Sequence, residues 1–240
     1  MTTGIVDWQI IASLTQLTEV IKIEKTDDIY WDEYWKKCTI PSIANDFLSK
    51  KLEKLIPENS DIIEIGGSIG SYLAYLNKEK KCKVSCLDFS KKGCELTQNN
   101  FNKLGIDGKI YNKDFLGNLS GLPKFDVVYS LGFIEHFTNY NKIIERHKLL
   151  CKNNGLIIVG CPNFNGIYKP FIDKKRKNAH VLEAMDIGNW KTNMKTEYVE
   201  YIGGLNLGII NGKLSLIRLP LDGSKTSQYV LVTFRNNWLY

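Results

Sequence analysis

The sequence predicts an α/β protein: a doubly wound, mostly parallel sheet that closes on an antiparallel C-terminal hairpin, with a helical N-terminal cap. Three observations predict it. The stretch "DIIEIGGSIGSYLAYL", Asp61 to Leu76, runs from a β-branched apolar segment through a glycine turn into helical spacing of apolar residues. Apolar runs and helical segments then alternate, a rhythm that puts helices on both faces of a parallel sheet. Near the C-terminus, "KLSLIRLPL" and "QYVLVTFRN" are separated only by "DGSKTS", too short for a crossover helix, so the two are expected to pair antiparallel.

The elements follow in order. Residues 1–43 read as the cap, with the aromatic cluster "IYWDEYW", and residues 44–240 as the main domain, opened by a helical "IANDFLSKKLEKLI". After the glycine turn and its helix, "KVSCLD" is a strand ending at Asp88. "SKKGCELTQNNFNKLG" is a helix capped by Ser90 and stopped by Gly105. A short strand around Ile110 and Tyr111 leads through a loop at Asp114 to the strand "FDVVYSLG". The helix "NKIIERHKLLCK" and the strand "GLIIVGCPN" come next, and "TEYVEYIGGLNL" is read as a further helix. His147, amid charged residues in the middle of its helix, is expected to be exposed.

Composition bounds the function. With 240 residues the chain can bury a substantial core, and no window is apolar enough to span a bilayer. The N-terminal "MTTGIVDWQIIASLTQL" lacks a basic start and is broken by Asp7 and Gln9, unlike a signal peptide. A soluble cytoplasmic protein is expected. The six cysteines form no pair of CxxC elements and read as reduced and structural; Cys82, Cys86 and Cys94 have the wrong spacing for a zinc site. The formal charge of +6 is scattered except for "DKKRKNAH", Asp173 to His180. That run reads as a solvated loop, with attraction of an acidic or phosphorylated substrate as the alternative. No basic stripe interleaved with aromatics suggests nucleic acid.

In an open parallel sheet, ligands bind at the carboxyl ends of the strands. Glu64, Gly66, Asp88, Asp114 and Ser130 all fall at or just beyond such ends, and Asp88 follows Gly66 by 22 residues, a spacing that suits an acid on a ribose diol. An ordinary turn whose glycines only relieve strain would show part of the same pattern.

From about Ala44 onward the sequence resembles the class I S-adenosylmethionine-dependent methyltransferases, whose sheet has seven strands with the last one antiparallel. Their first motif is an acid followed by G-x-G-x-G; here Glu64, Gly66, Gly67, Ser68 and Gly70 stand there, with serine at the middle glycine. The resemblance implies that this turn cradles S-adenosylmethionine, with Asp88 and Phe89 at the ribose and Asp114 and Phe115 at the adenine. Ser130 and Leu131 of "FDVVYSLGFIEHF" fall beside the methionine part. Tyr30 and Trp31 match an aromatic segment that in many relatives closes over the cofactor, where a ring gains cation–π attraction to a sulfonium; packing of the cap on the sheet is the alternative.

His136 stands where the family places its active-site floor and is the candidate general base. Its alternative is to pack and cap the next helix. His180 is the second candidate, in the segment from Asn163 to Asn193 where related enzymes build the acceptor pocket. Some ubiquinone-type O-methyltransferases resemble the Glu135–His136 segment but carry, three residues earlier, an acid that helps bind a metal. Here that position is Gly132, and no metal is expected. The N/D-P-P-Y/F tetrad of many N-methyltransferases is missing, which with His136 favours oxygen as the acceptor. The expected acceptor is a small molecule or sugar, with neither nucleic acid nor membrane as a partner, and a homodimer is compatible with the sequence. The richness in lysine, asparagine and isoleucine suggests an AT-rich bacterial genome, in which such enzymes often decorate surface glycans. Three alternatives stay open: an N-methyltransferase, a noncatalytic cofactor-binding domain, and a nicotinamide or flavin oxidoreductase, although "IGGSIGS" fits neither register of G-x-G-x-x-G.

Overall fold

The computed structural model describes residues 28–163, 179–202, 205–206, 209–210, 213–214, 218–219 and 229–236. The lysine run before His180 and most of the segment "KLSLIRLPL" lie outside them, as do residues 1–27 of the cap.

Helix α1 (Asp28–Trp35) and helix α2 (Phe47–Leu55) precede the sheet. Strands β1 (Asp61–Ile65), β2 (Lys83–Asp88), β3 (Lys109–Asn112), β4 (Phe125–Leu131) and β5 (Cys151–Pro162) are parallel. Helix α3 (Ser71–Lys80) follows β1, α4 (Lys91–Leu104) follows β2 and α5 (Tyr140–Arg146) follows β4. Strand β7 (Tyr229–Arg235) inserts antiparallel between β5 and β6 (Thr196–Ile202), giving seven strands in the order β3-β2-β1-β4-β5-β7-β6. The direction of growth reverses between β1 and β4.

Alternation along β1 explains the two layers of core. Ile63 and Ile65 join Leu87, Val128, Phe125 and Ile143 on one face, whereas Ile62 joins Val84, Tyr129, Leu73 and Phe101 on the other. Ile62, Ile63 and Ile65 are completely buried, and each such side chain contributes about 1.5–3 kcal/mol by leaving water. The caps on α4 are those expected: Ser90 Oγ accepts from Gly93 N–H at 2.9 Å, and Gly105 takes a left-handed conformation at the other end.

Three expectations are corrected. "TEYVEYI" is the edge strand β6, not a helix. Its β-branched and aromatic residues suit a strand, but with most of it exposed no buried face marked a period of two. The antiparallel neighbours of β7 are therefore β6 and β5, and the described residues of "KLSLIRLPL", Lys213–Leu214 and Arg218–Leu219, lie in two-residue ladders outside the main sheet. His147 is fully buried: its Nδ1 meets Ile143 O at 2.8 Å and its Nε2 meets Ser130 Oγ at 3.0 Å. Burial pushes its pKa down to about 4, so the ring is a neutral core group where α5 gives way to a 3-10 turn, His147–Leu149. The six cysteines are unpaired, and five of them are buried. No helix among the described residues is long and apolar enough to cross a membrane.

Candidate active site

The carboxyl ends of β1 and β4 meet in one cavity of about 600 Å³, a size that takes a ligand as large as a drug or nucleoside. The glycine turn supplies Glu64, Gly66, Gly67 and Ser68; the end of β4 and the 3-10 turn after it supply Leu131, Gly132, Glu135 and His136. Helix α1 adds Tyr30, Trp31, Tyr34 and Trp35, and Ala179 and His180 add to the lining as well. A narrower cleft shares Trp31, Trp35, Gly66, Gly132 and His136 with this cavity and reaches Asp88, Phe89, Phe133 and Phe137.

The turn has this shape for local reasons. Gly66 sits at φ +69°, and a Cβ there would come within 2.6 Å of the Phe133 ring, so a side chain is excluded by both backbone and space. Gly93, in the first turn of α4, leaves room for two neighbours: a Cβ would lie 2.3 Å from Ser68 Oγ and 3.2 Å from Trp35 Nε1. Helix α1, the glycine turn and α4 are thereby brought into close contact.

Asp88 is 6% exposed and already engaged. Its carboxylate accepts from Ser68 Oγ at 2.8 Å and from Ser90 N–H at 2.9 Å. The serine at the middle glycine position thus donates to the acid at the end of β2. Glu64 is buried below it and accepts from Tyr129 O–H at 3.0 Å. Burial, reinforced by the charge of Asp88 and opposed by the Tyr129 hydroxyl, pushes its pKa up to about 8. A carboxyl raised in the fold stabilises fully below its unfolded value near 4.5, and that contribution is lost as pH rises through about 8. Glu64→Gln, which stays neutral, is therefore expected to lose less stability than the parent between pH 5 and pH 8. Thermal melts at both values check this, and parallel losses in the two proteins would contradict it.

At the other end of the cavity, His136 is 6% exposed, and its Nδ1 lies 2.9 Å from Ala179 O. A carbonyl can only accept, so the neutral ring carries its proton on Nδ1 and leaves a lone pair on Nε2. Burial first, then His180, push its pKa down to about 4, against the carbonyls of Ala179 and Gly132. The His136 ring stands edge-on to Trp31 at 5.1 Å and 4.9 Å from the ring of His180. Glu135 beside it is 1% exposed, and burial pushes its pKa up to about 8.

Of the residues singled out in the sequence, Tyr30, Trp31, Glu64, Gly66, Gly67, Ser68, Leu131, His136 and His180 line the cavity, and Asp88 and Phe89 line the cleft. Four do not. Gly70 starts α3 at φ +74°, packed on Phe101 and Thr97. Ser130 is completely buried and turned to His147. Phe115 is a core residue between Phe133 and His147, and exposed Asp114 accepts from Leu116 N–H within its own loop. Phe133 and Phe137 of the cleft were not anticipated, whereas Tyr34 and Trp35 belong to the aromatic cluster "IYWDEYW" read from the sequence, and Trp35 falls one turn after Trp31 on α1.

Residues 63–157 match a family model described as a methyltransferase domain. No curated protein matches the sequence. Among solved structures, an S-adenosylmethionine-dependent methyltransferase from Aquifex aeolicus is similar at 13% identity, over 88% of this chain and 100% of that one, with a TM-score of 0.57. Coclaurine N-methyltransferase, solved with N-methylheliamine and S-adenosylhomocysteine, is similar at 10% identity over 83% and 69%, TM-score 0.55. The cyclase SpnF is similar at 10% identity over 90% and 98%, TM-score 0.62. At these identities the likeness is one of fold, and that fold serves more than one reaction. Residues 63–157 thus match a methyltransferase-domain model, and the fold is that of the class I S-adenosylmethionine-dependent methyltransferases.

Proposed function

We propose that this protein transfers the methyl group of S-adenosylmethionine to a hydroxyl of a small molecule, with sugars and phosphosugars as the first acceptors to try. One observation carries the reading: a single cavity joins the glycine turn to His136 and His180 beneath the aromatic residues of α1.

Bound S-adenosylmethionine supplies a methyl group made electrophilic by its sulfonium. The chain's own residues then have three tasks. Asp88 takes hydrogen bonds from the ribose hydroxyls at the position where Ser68 Oγ now donates. The rings of Tyr30 and Trp31 cover the cavity, exclude water, and present π faces that favour a positive charge. His136, neutral and with Nε2 free to accept, takes the proton of the acceptor hydroxyl as its oxygen attacks. Such an in-line displacement needs alignment and no covalent enzyme intermediate.

Incubation with S-adenosylmethionine labelled in its methyl group, across panels of sugars, phosphosugars, phenols and amines, tests this. Label transferred to hydroxyl acceptors supports the reading, and label on amines alone overturns the choice of oxygen.

A further inference from the structure

We propose that Glu135, His136 and His180 bind a divalent transition-metal ion at the acceptor end of the cavity. One carboxylate oxygen and one nitrogen from each histidine lie within 4.8 Å of one another. Ligands about 2.1 Å from a shared metal stand roughly 3–3.5 Å apart, a distance that small side-chain rotations close.

Three further observations point to a ligand here. Glu135 is 1% exposed, yet its Oε2 has no hydrogen-bond partner. A buried carboxylate oxygen of that kind calls for a proton donor or a cation. The ring of His136 is already oriented as ligating histidines are: Nδ1–H donates to the Ala179 carbonyl at 2.9 Å, which fixes the tautomer and points the Nε2 lone pair away from that bond. The two segments that carry the ligands are also tied together, since Val181 N–H donates to Glu135 O at 2.6 Å. His180, immediately before Val181, is thus held beside the 3-10 turn Ile134–His136.

The ligand chemistry narrows the ion. Two imidazoles and one carboxylate suit zinc, iron(II), cobalt(II) or manganese(II) better than magnesium or calcium, which favour all-oxygen sets. All three residues line the cavity, so the remaining coordination positions face the space open to an acceptor. That leaves a site of the catalytic kind, with three protein ligands and open positions. The expectation of no metal rested on Gly132; here the third ligand comes instead from His180, 44 residues beyond His136.

The role of the ion rests on the proposed function, but its binding does not. An acceptor hydroxyl on the metal would lose its proton to solvent more readily, and its oxygen would then form the O–C bond as the C–S bond breaks. His136 would in that case serve as a ligand and not as the base.

The test is titration of chelator-treated full-length protein with Co²⁺, followed by its visible bands, and with Zn²⁺ by calorimetry. One ion per chain is expected, with affinity at least tenfold weaker in His180→Ala and in Glu135→Gln. His180 is only half-buried, so its variant is expected to keep the fold, which circular dichroism checks. No binding to the parent, or binding unchanged in both folded variants, overturns the site. S-adenosylmethionine is titrated into the same samples: binding of the cofactor without the metal defeats this proposal alone, whereas metal binding without the cofactor defeats the methyltransferase reading alone.

Discussion

Replacing His136 with alanine is expected to lower turnover by about two to four orders of magnitude while S-adenosylmethionine binding stays close to that of the parent. The ring stands at the acceptor end of the cavity, against Trp31 of the aromatic wall and His180, and Ala179 holds its tautomer. Either as base or as metal ligand, it acts on the acceptor. The cleft is lined by both His136 and Asp88, and the ribose is assigned to the Asp88 carboxylate, so cofactor affinity is expected to depend little on the imidazole. Steady-state kinetics beside a cofactor titration check the split. Turnover near that of the parent in a folded variant would remove His136 from the reaction.

The reverse pattern is expected at Asp88. Alanine there removes a buried charged acceptor, a loss worth about 1.5–3 kcal/mol for a bond to a charged group, or roughly ten- to a hundredfold in affinity. Because the same carboxylate holds Ser68 Oγ and Ser90 N–H, some stability is lost as well. Asp88→Asn keeps an oxygen for Ser90 and separates the two effects: it is expected to fold like the parent and still bind the cofactor poorly. Calorimetry on both variants measures this, and unchanged affinity in either one, once folded, would exclude Asp88 from the site.

Much of this arrangement was legible in the sequence because it depends on local rules. The five parallel strands, the caps at Ser90 and Gly105, and the strand–turn–helix unit around Gly66 each follow from residue types whose backbone preferences are strong. Of the residues placed at strand ends, Glu64 and Gly66 line the cavity and Asp88 the cleft, while Asp114 and Ser130 line neither.

What stayed hidden depends on tertiary partners. Thr196–Ile202 is an edge strand with few buried residues, so its pattern showed no face to read. His147 sits among charges in the sequence, but the turn out of α5 points it into the core against Ser130. Asp114 and Phe115 were placed by resemblance, and the structure turns them to an exposed loop and to the core. The meeting of His180 with His136 was illegible, because nothing in the spacing of two histidines 44 residues apart says that one backbone bond, Val181 to Glu135, will bring their segments together.

The central claim is the identity of the cofactor, and calorimetric titration of the purified protein with S-adenosylmethionine, S-adenosylhomocysteine, NAD and FAD tests it most directly. Micromolar binding of the first two alone is the predicted result. Binding of NAD or FAD would contradict the reading of the glycine turn, and binding of none of the four would contradict the assignment of the cavity to a cofactor.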